Sequence, residues 1–248
     1  MSNSSDDRRQ FREQREKNIE RMAKSEKLEK LRVDFFEQTA EYDYTYSFEW
    51  MGVPIIQYPQ DMIACQELIW KIKPQVIVET GIARGGSIIY YASLLEMLGN
   101  DGIVVGVDID IRDHNRDTIE THPMNHRIRM VEGSSVDPET VAKVKEHTVG
   151  KGPIMVFLDS MHTHDHVLEE LRLYNDLVEE GSYLVVFDTI VEDLPKDYYA
   201  DRPWDVGNNP KTAVHAFLKE NDRFEIDKNI AGKIVATCNP DGYLRCIK

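Results

Sequence analysis

The 248-residue chain has no apolar run of membrane-spanning length and no apolar signal core near its start. A spanning helix needs about 20 such residues. It has only three cysteines, Cys65, Cys238 and Cys246, too few and too scattered for a zinc cluster or a disulfide framework. Reduced thiols and a cytoplasmic location are therefore expected. Positive charge is also short: 44 acidic against 30 basic side chains give a formal net charge of −14. Nucleic acid demands a basic footprint, so it is excluded as the default partner.

What the chain does have is a strand–turn–helix signal from Pro74 to Ser93. Val76–Val78 is a short apolar run that leads to Glu79. Gly81, Gly85 and Gly86 make a turn, and Ser87 opens a helical pattern through Ile88, Tyr91, Ala92 and Leu95. Glycines at such a turn let backbone N–H groups at a helix start approach a ligand closely. No lysine follows the glycines, which removes a P-loop. Gly81 is followed by Ile82 and Ala83, so the close second glycine of a dinucleotide turn is missing.

Downstream, apolar strands alternate with helices. Strands are expected at Ile103–Val107, Arg127–Val131, Ile154–Leu158 and Tyr183–Phe187, with helices at Asp137–His147, Val167–Leu177 and Lys211–Lys219. Such alternation predicts a mainly parallel sheet covered on both faces. Three extended candidates close the chain, Phe224–Asp227, Lys233–Cys238 and Tyr243–Ile247, with an Asn239-Pro-Asp-Gly242 turn before the last. The fold expected is α/β and Rossmann-like: a mainly parallel seven-stranded sheet with an antiparallel C-terminal strand. A charged helical extension, 1–47, precedes the domain, 48–248. Residues 1–31 read as a solvated helix of mixed charge, free or packed on a partner subunit. The aromatics from Phe35 to Trp50 are expected to lie over the core edge or the mouth of the site.

An acid ending strand one, a glycine turn and Asp108 ending strand two fit an S-adenosylmethionine site better than the two nucleotide classes just set aside. Asp108 suits ribose hydroxyls, Glu79 the cationic end of the cofactor, and Ser134 and Ser135 the adenine. Cofactor contacts are expected from Glu79, Thr80, Gly81, Arg84, Gly85, Gly86, Ser87, Asp108, Ile109, Ser134, Ser135 and Asp159. Arg84 should turn away from the sulfonium toward a carboxylate. In an open α/β sheet, ligands sit beyond the carboxyl ends of the strands. Asp159 and Asp188, ending strands four and five, should converge there. Two carboxylates at one point call for a shared proton or a cation, and a hard ion such as Mg²⁺ takes oxygen ligands. Histidine is suited to take a proton from a hydroxyl; of His162, His164 and His166, the last reads as the solvated one. The long polar and aromatic stretch from Thr189 to Pro210 is expected to wall the acceptor, with Asp193, Trp204 and Asn208, together with His164, as substrate contacts.

The motifs at 78–87 (VETGIARGGS), 106–110 (GVDID), 157–164 (FLDSMHTH), 185–189 (VVFDT) and 207–214 (GNNPKTAV) resemble the cephalosporin hydroxylase/rhamnosyl O-methyltransferase family, related to macrolide sugar O-methyltransferases. The resemblance implies a Rossmann-like class I methyltransferase fold, S-adenosylmethionine-dependent O-methylation of a sugar hydroxyl, often with a divalent metal, and oligomers. It makes Asp159 and Asp188 the metal pair and, through the Asp-x-x-His spacing, His162 the general base. Phe187 stands where some members carry a second carboxylate. No two-histidine, one-carboxylate set speaks for an oxygenase. Alternatives are an accessory subunit that keeps the cofactor fold, or methyl transfer to a phenol or catechol.

Overall fold

The computed structural model describes residues 3–248, with side chains from residue 6 onward. Seven strands form one sheet: β1 (Val76–Thr80), β2 (Ile103–Asp108), β3 (Ile128–Glu132), β4 (Ile154–Leu158), β5 (Tyr183–Val186), β6 (Phe224–Ile226) and β7 (Tyr243–Cys246). Their spatial order is β3-β2-β1-β4-β5-β7-β6. β1 to β5 are parallel. β7 runs antiparallel to both of its neighbours.

β-Branched side chains favour the pleated conformation, and every residue of β1 is buried. Alternation along the strand feeds two layers. Ile77 joins the core beneath α3 (Pro59–Ile72) and α4 (Gly86–Leu98). Val76 and Val78 join the core beneath α6 (Pro138–Thr148), α7 (His164–Tyr174) and α8 (Pro210–Glu220). Each such side chain contributes about 1.5–3 kcal/mol by leaving water. The remaining crossover helix is α5 (Asp113–Thr121). Strand order reverses between β1 and β4, and the crevice created there is where such sheets bind ligands.

The charged N-terminal stretch forms α1 (Asn3–Ala23) and α2 (Glu26–Ala40). α1 is largely exposed and rests its end on α9 (Lys228–Ile234), where a Cβ added to Gly232 would lie 2.4 Å from the Ala23 Cβ. α2 starts on Ser25, whose hydroxyl accepts from Leu28 N, and buries Phe36. Among the described residues, no helix is long and apolar enough to cross a membrane.

Three expectations need correction. Lys233–Cys238 is not a strand. The Asp227 side chain caps Asn229 N, the chain turns into α9, and residues after Ile234 are pulled into a buried polar network. α7 begins at His164 rather than Val167, so His164 and His166 sit on a helix. His166 is not the solvated histidine: its Nε2 lies 3.1 Å from Ser135 Oγ and 3.2 Å from Ser160 Oγ, beside the fully buried Glu170.

Candidate active site

A cleft of about 790 Å³ opens over the ends of β1, β4 and β5 and is lined by Gly81–Arg84, Gly86, Ser87, Asp159–Ser160, His162, Phe187 and Asp188. The first turn is built on close contact. Gly81 adopts φ +83°, and a Cβ there would stand 2.1 Å from the Asp159 carbonyl oxygen. Only glycine lets the β1 and β4 ends approach so closely. Gly86 likewise faces the Pro54 carbonyl oxygen, 2.2 Å from where its Cβ would be.

Glu79, at the end of β1, is wholly buried. Its Oε2 accepts from Ser87 Oγ at 2.6 Å, while Oε1 has no partner. Burial pushes its carboxyl up to about 8; the nearby Ser87 and Tyr91 hydroxyls oppose the shift and the Asp108 charge adds to it. An unpartnered buried oxygen on an ionisable group is suited to a cationic guest. Asp108 is engaged differently: Oδ2 accepts from Ile82 N at 3.0 Å and Ala83 N at 3.2 Å, and Oδ1 from Asp110 N. It braces the glycine turn from outside the cleft lining, where Glu79, Thr80, Gly85, Ile109, Ser134 and Ser135 also lie. Arg84 is exposed on the cleft wall.

Asp159, His162 and Asp188 each offer a ligand atom, all within 4.8 Å of one another. His162 Nε2 is 3.1 Å from Asp188 Oδ2, and its ring stands edge-on to Trp204, with centroids 4.8 Å apart. Burial, then the charge of Asp188, raises Asp159 well above the usual carboxylate range. Asp188 has φ +54°. A non-glycine residue there carries strain of about 1–3 kcal/mol, which persists only where surrounding structure enforces it. Phe187 adds no carboxylate and packs toward Phe157.

The opposite wall comes from two distant segments. Glu37, Glu41 and Tyr44–Tyr46 come from the N-terminal stretch, and Tyr198, Tyr199, Arg202 and Trp204 from the loop after β5. Arg202 lies over the Trp204 ring, 5.4 Å from its centroid. Burial raises the phenols of Tyr58 and Tyr199, which therefore stay neutral. Tyr44 and Tyr46 belong to the aromatic cluster between Phe35 and Trp50, and Tyr198 and Tyr199 to the stretch from Thr189 to Pro210, so aromatic density is the usable signal in both.

Of the four residues expected to touch substrate, Trp204 lines the cleft and the other three fasten the wall. Asn208 Oδ1 accepts from His164 N at 2.9 Å, and His164 Nδ1 pairs with Thr212 Oγ1 at 2.8 Å. Asp193 accepts from Arg32 at 2.9 Å and Lys211 at 2.6 Å, so it ties α2 to α8. Nearby, Tyr198 OH donates to the Phe36 carbonyl. Arg32→Ala should lower the melting temperature, with a loss of about 1–3 kcal/mol for an ion-paired hydrogen bond. It should also raise the acceptor KM while cofactor affinity holds. Thermal melts and initial rates check both.

The family model described as rhamnosyl O-methyltransferase/CmcI matches residues 42–247. This chain belongs to that family. The protein is accordingly an O-methyltransferase, and the fold is the family's. The Mycobacterium tuberculosis (H37Rv) rhamnosyl O-methyltransferase is 30% identical over 201 residues, 79% of this chain and 76% of that protein. The Mycobacterium leprae rhamnosyl O-methyltransferase is 30% identical over 177 residues, 69% and 70% of the two chains. Among solved structures, CmcI in its Mg-SAM structure aligns with TM-score 0.58 and 22% identity over 82% of this chain and 78% of that one. The O-methyltransferase TomG from Streptomyces achromogenes, in complex with SAM, aligns with TM-score 0.53 and 16% identity over 91% and 92%.

Proposed function

We propose that this family member transfers the methyl group of S-adenosylmethionine to a hydroxyl of a sugar-bearing acceptor, with a divalent cation held by Asp159 and Asp188. The observation that carries the reading is the convergence of Asp159, His162 and Asp188 within 4.8 Å on the cleft floor, between the glycine turn and an aromatic wall. The rhamnosyl O-methyltransferase relatives support a sugar. So do the rings of Tyr44, Tyr46, Tyr198 and Trp204, which suit the apolar faces of a pyranose.

The residues fit both absent groups. Glu79 offers an unpartnered buried oxygen to a cation, and the Gly81 turn leaves backbone where a side chain would intrude. When bound, the cofactor supplies an electrophilic methyl on a sulfonium. Two carboxylates with an adjacent imidazole form an oxygen-rich donor set for Mg²⁺, which would supply Lewis-acid polarisation of the acceptor hydroxyl. The chain's own part is orientation and base catalysis. His162 Nε2 stands 3.1 Å from Asp188 Oδ2, so the imidazole that would carry the proton lies beside a carboxylate. The imidazole would take the acceptor's hydroxyl proton during transfer.

Titration calorimetry with S-adenosylmethionine and S-adenosylhomocysteine tests the donor, and turnover of rhamnosides and other glycosides with and without a chelator tests acceptor and metal. Micromolar-range cofactor binding and chelator-sensitive transfer are expected. Absence of cofactor binding in both metal conditions would sink the reading. The 4.8 Å convergence also favours a second role for His162, as third metal ligand. The two roles separate in His162→Ala by size: loss of a ligand would lower metal affinity well beyond the about 10- to 100-fold that an outer partner of a ligand is worth.

A further inference from the structure

Asp188 has a left-handed backbone at the end of β5, and its own side chain does not hold it there. Its N–H donates to Asn239 Oδ1 at 3.1 Å. Asn239 is fully buried and is itself gripped: its N–H donates to Thr237 Oγ1 at 2.9 Å, and its Oδ1 also accepts from the Cys238 thiol at 3.0 Å. Beneath this turn lies Asp61, from the first turn of α3, fully buried although it is an acid. Thr237 Oγ1 donates to Asp61, as do Cys238 N at 3.0 Å and Tyr243 OH at 2.7 Å. Satisfied this fully, a buried polar network rigidifies what it touches.

We propose that Asn239, fixed by Asp61, is a positioning residue that sets the backbone of Asp188 and so its distance from Asp159 and His162. The proposal rests on the reading of Asp188 as part of the reacting set. Neither Asn239 nor Asp61 reaches the cleft lining; Cys238, between Asn239 and Thr237, does. The clamp therefore acts from behind. It is anchored on α3 and β7, elements separate from the glycine turn, so it can be loosened without touching the cofactor side.

The test compares Asn239→Ala and Asp61→Asn with Asp188→Asn in the full chain. Mn²⁺ affinity and S-adenosylhomocysteine affinity are read by calorimetry, and kcat and KM by methyl transfer. Removing an outer hydrogen-bond partner of a metal ligand costs about 10- to 100-fold in metal affinity or activity. Losses of that size in Mn²⁺ affinity and kcat are expected for Asn239→Ala and, in the same direction, for Asp61→Asn, with acceptor KM and S-adenosylhomocysteine affinity unchanged. A variant that only melts earlier, with Mn²⁺ affinity and kcat intact, would overturn the proposal. So would a parallel collapse of S-adenosylhomocysteine affinity, which marks general unfolding. Wild-type turnover and Mn²⁺ affinity in Asp188→Asn would instead remove the reading of Asp188, and the clamp with it.

Discussion

Replacing His162 by alanine is expected to cut methyl transfer by about 10²- to 10⁴-fold, the contribution of a positioned base, while cofactor affinity stays at the wild-type value. The imidazole is held on two sides, by Asp188 at 3.1 Å and by the edge-on Trp204 ring. Only 14% of its side chain is exposed, so solvent is a poor substitute for a fixed lone pair. Because the ring belongs to the loop after β4 and not to the glycine turn, its removal leaves the donor wall intact. Single-turnover rates beside calorimetry make the comparison. Near-normal turnover would take His162 out of the role.

Glu79→Gln should weaken S-adenosylmethionine binding by about 1.5–3 kcal/mol, roughly 10- to 100-fold, the worth of a hydrogen bond to a charged group. It should also change how binding responds to pH. The Glu79 carboxyl rises from its ordinary 4.5 to about 8 in the fold, chiefly through burial. Between those values the folded chain holds a proton that the unfolded chain has lost. The free protein therefore loses stability as pH climbs through that window, and the loss is complete above about 8. A cation seated against the carboxylate favours the ionised form, so its binding expels the proton. Cofactor affinity should rise with pH up to about 8 and then level, with one proton released below that point. The glutamine variant should lack this component. Calorimetry across pH 6.5–9 in buffers of different ionisation enthalpy reads the proton directly, and identical pH slopes in both proteins would refute the assignment.

The architecture was largely legible in the sequence because β1, β4 and β5 are continuous apolar runs, each leading to an acid at a ligand-facing end. Periodicity reports burial, and burial on both faces reports a parallel sheet. The same logic brought Asp159 and Asp188 to one point, and the family resemblance added His162. It misread Asp193, Asn208 and His164, since polar residues in a long loop look alike whether they face a substrate or one another. Their partners, Arg32, Pro203 and Thr212, are chosen by tertiary packing. His166 failed for a related reason: a histidine beside two others carries no local sign of the buried Glu170 one helical turn away. Lys233–Cys238 looks extended because Val235 and Thr237 are β-branched, a preference overridden by the Asp61 network.

The ion pair between Arg32 and Asp193 spans 161 positions of chain. α2 leaves the ribosome early, yet the loop it grips is made only after most of the sheet has been synthesised. The glycine-turn side of the cleft can form from local strand–helix units, whereas the aromatic wall must wait for its two halves to meet. Long-range closures of this kind come late and cost the most chain entropy. The aromatic wall is therefore the last part of the enzyme to be assembled, and the first that mild denaturant should release.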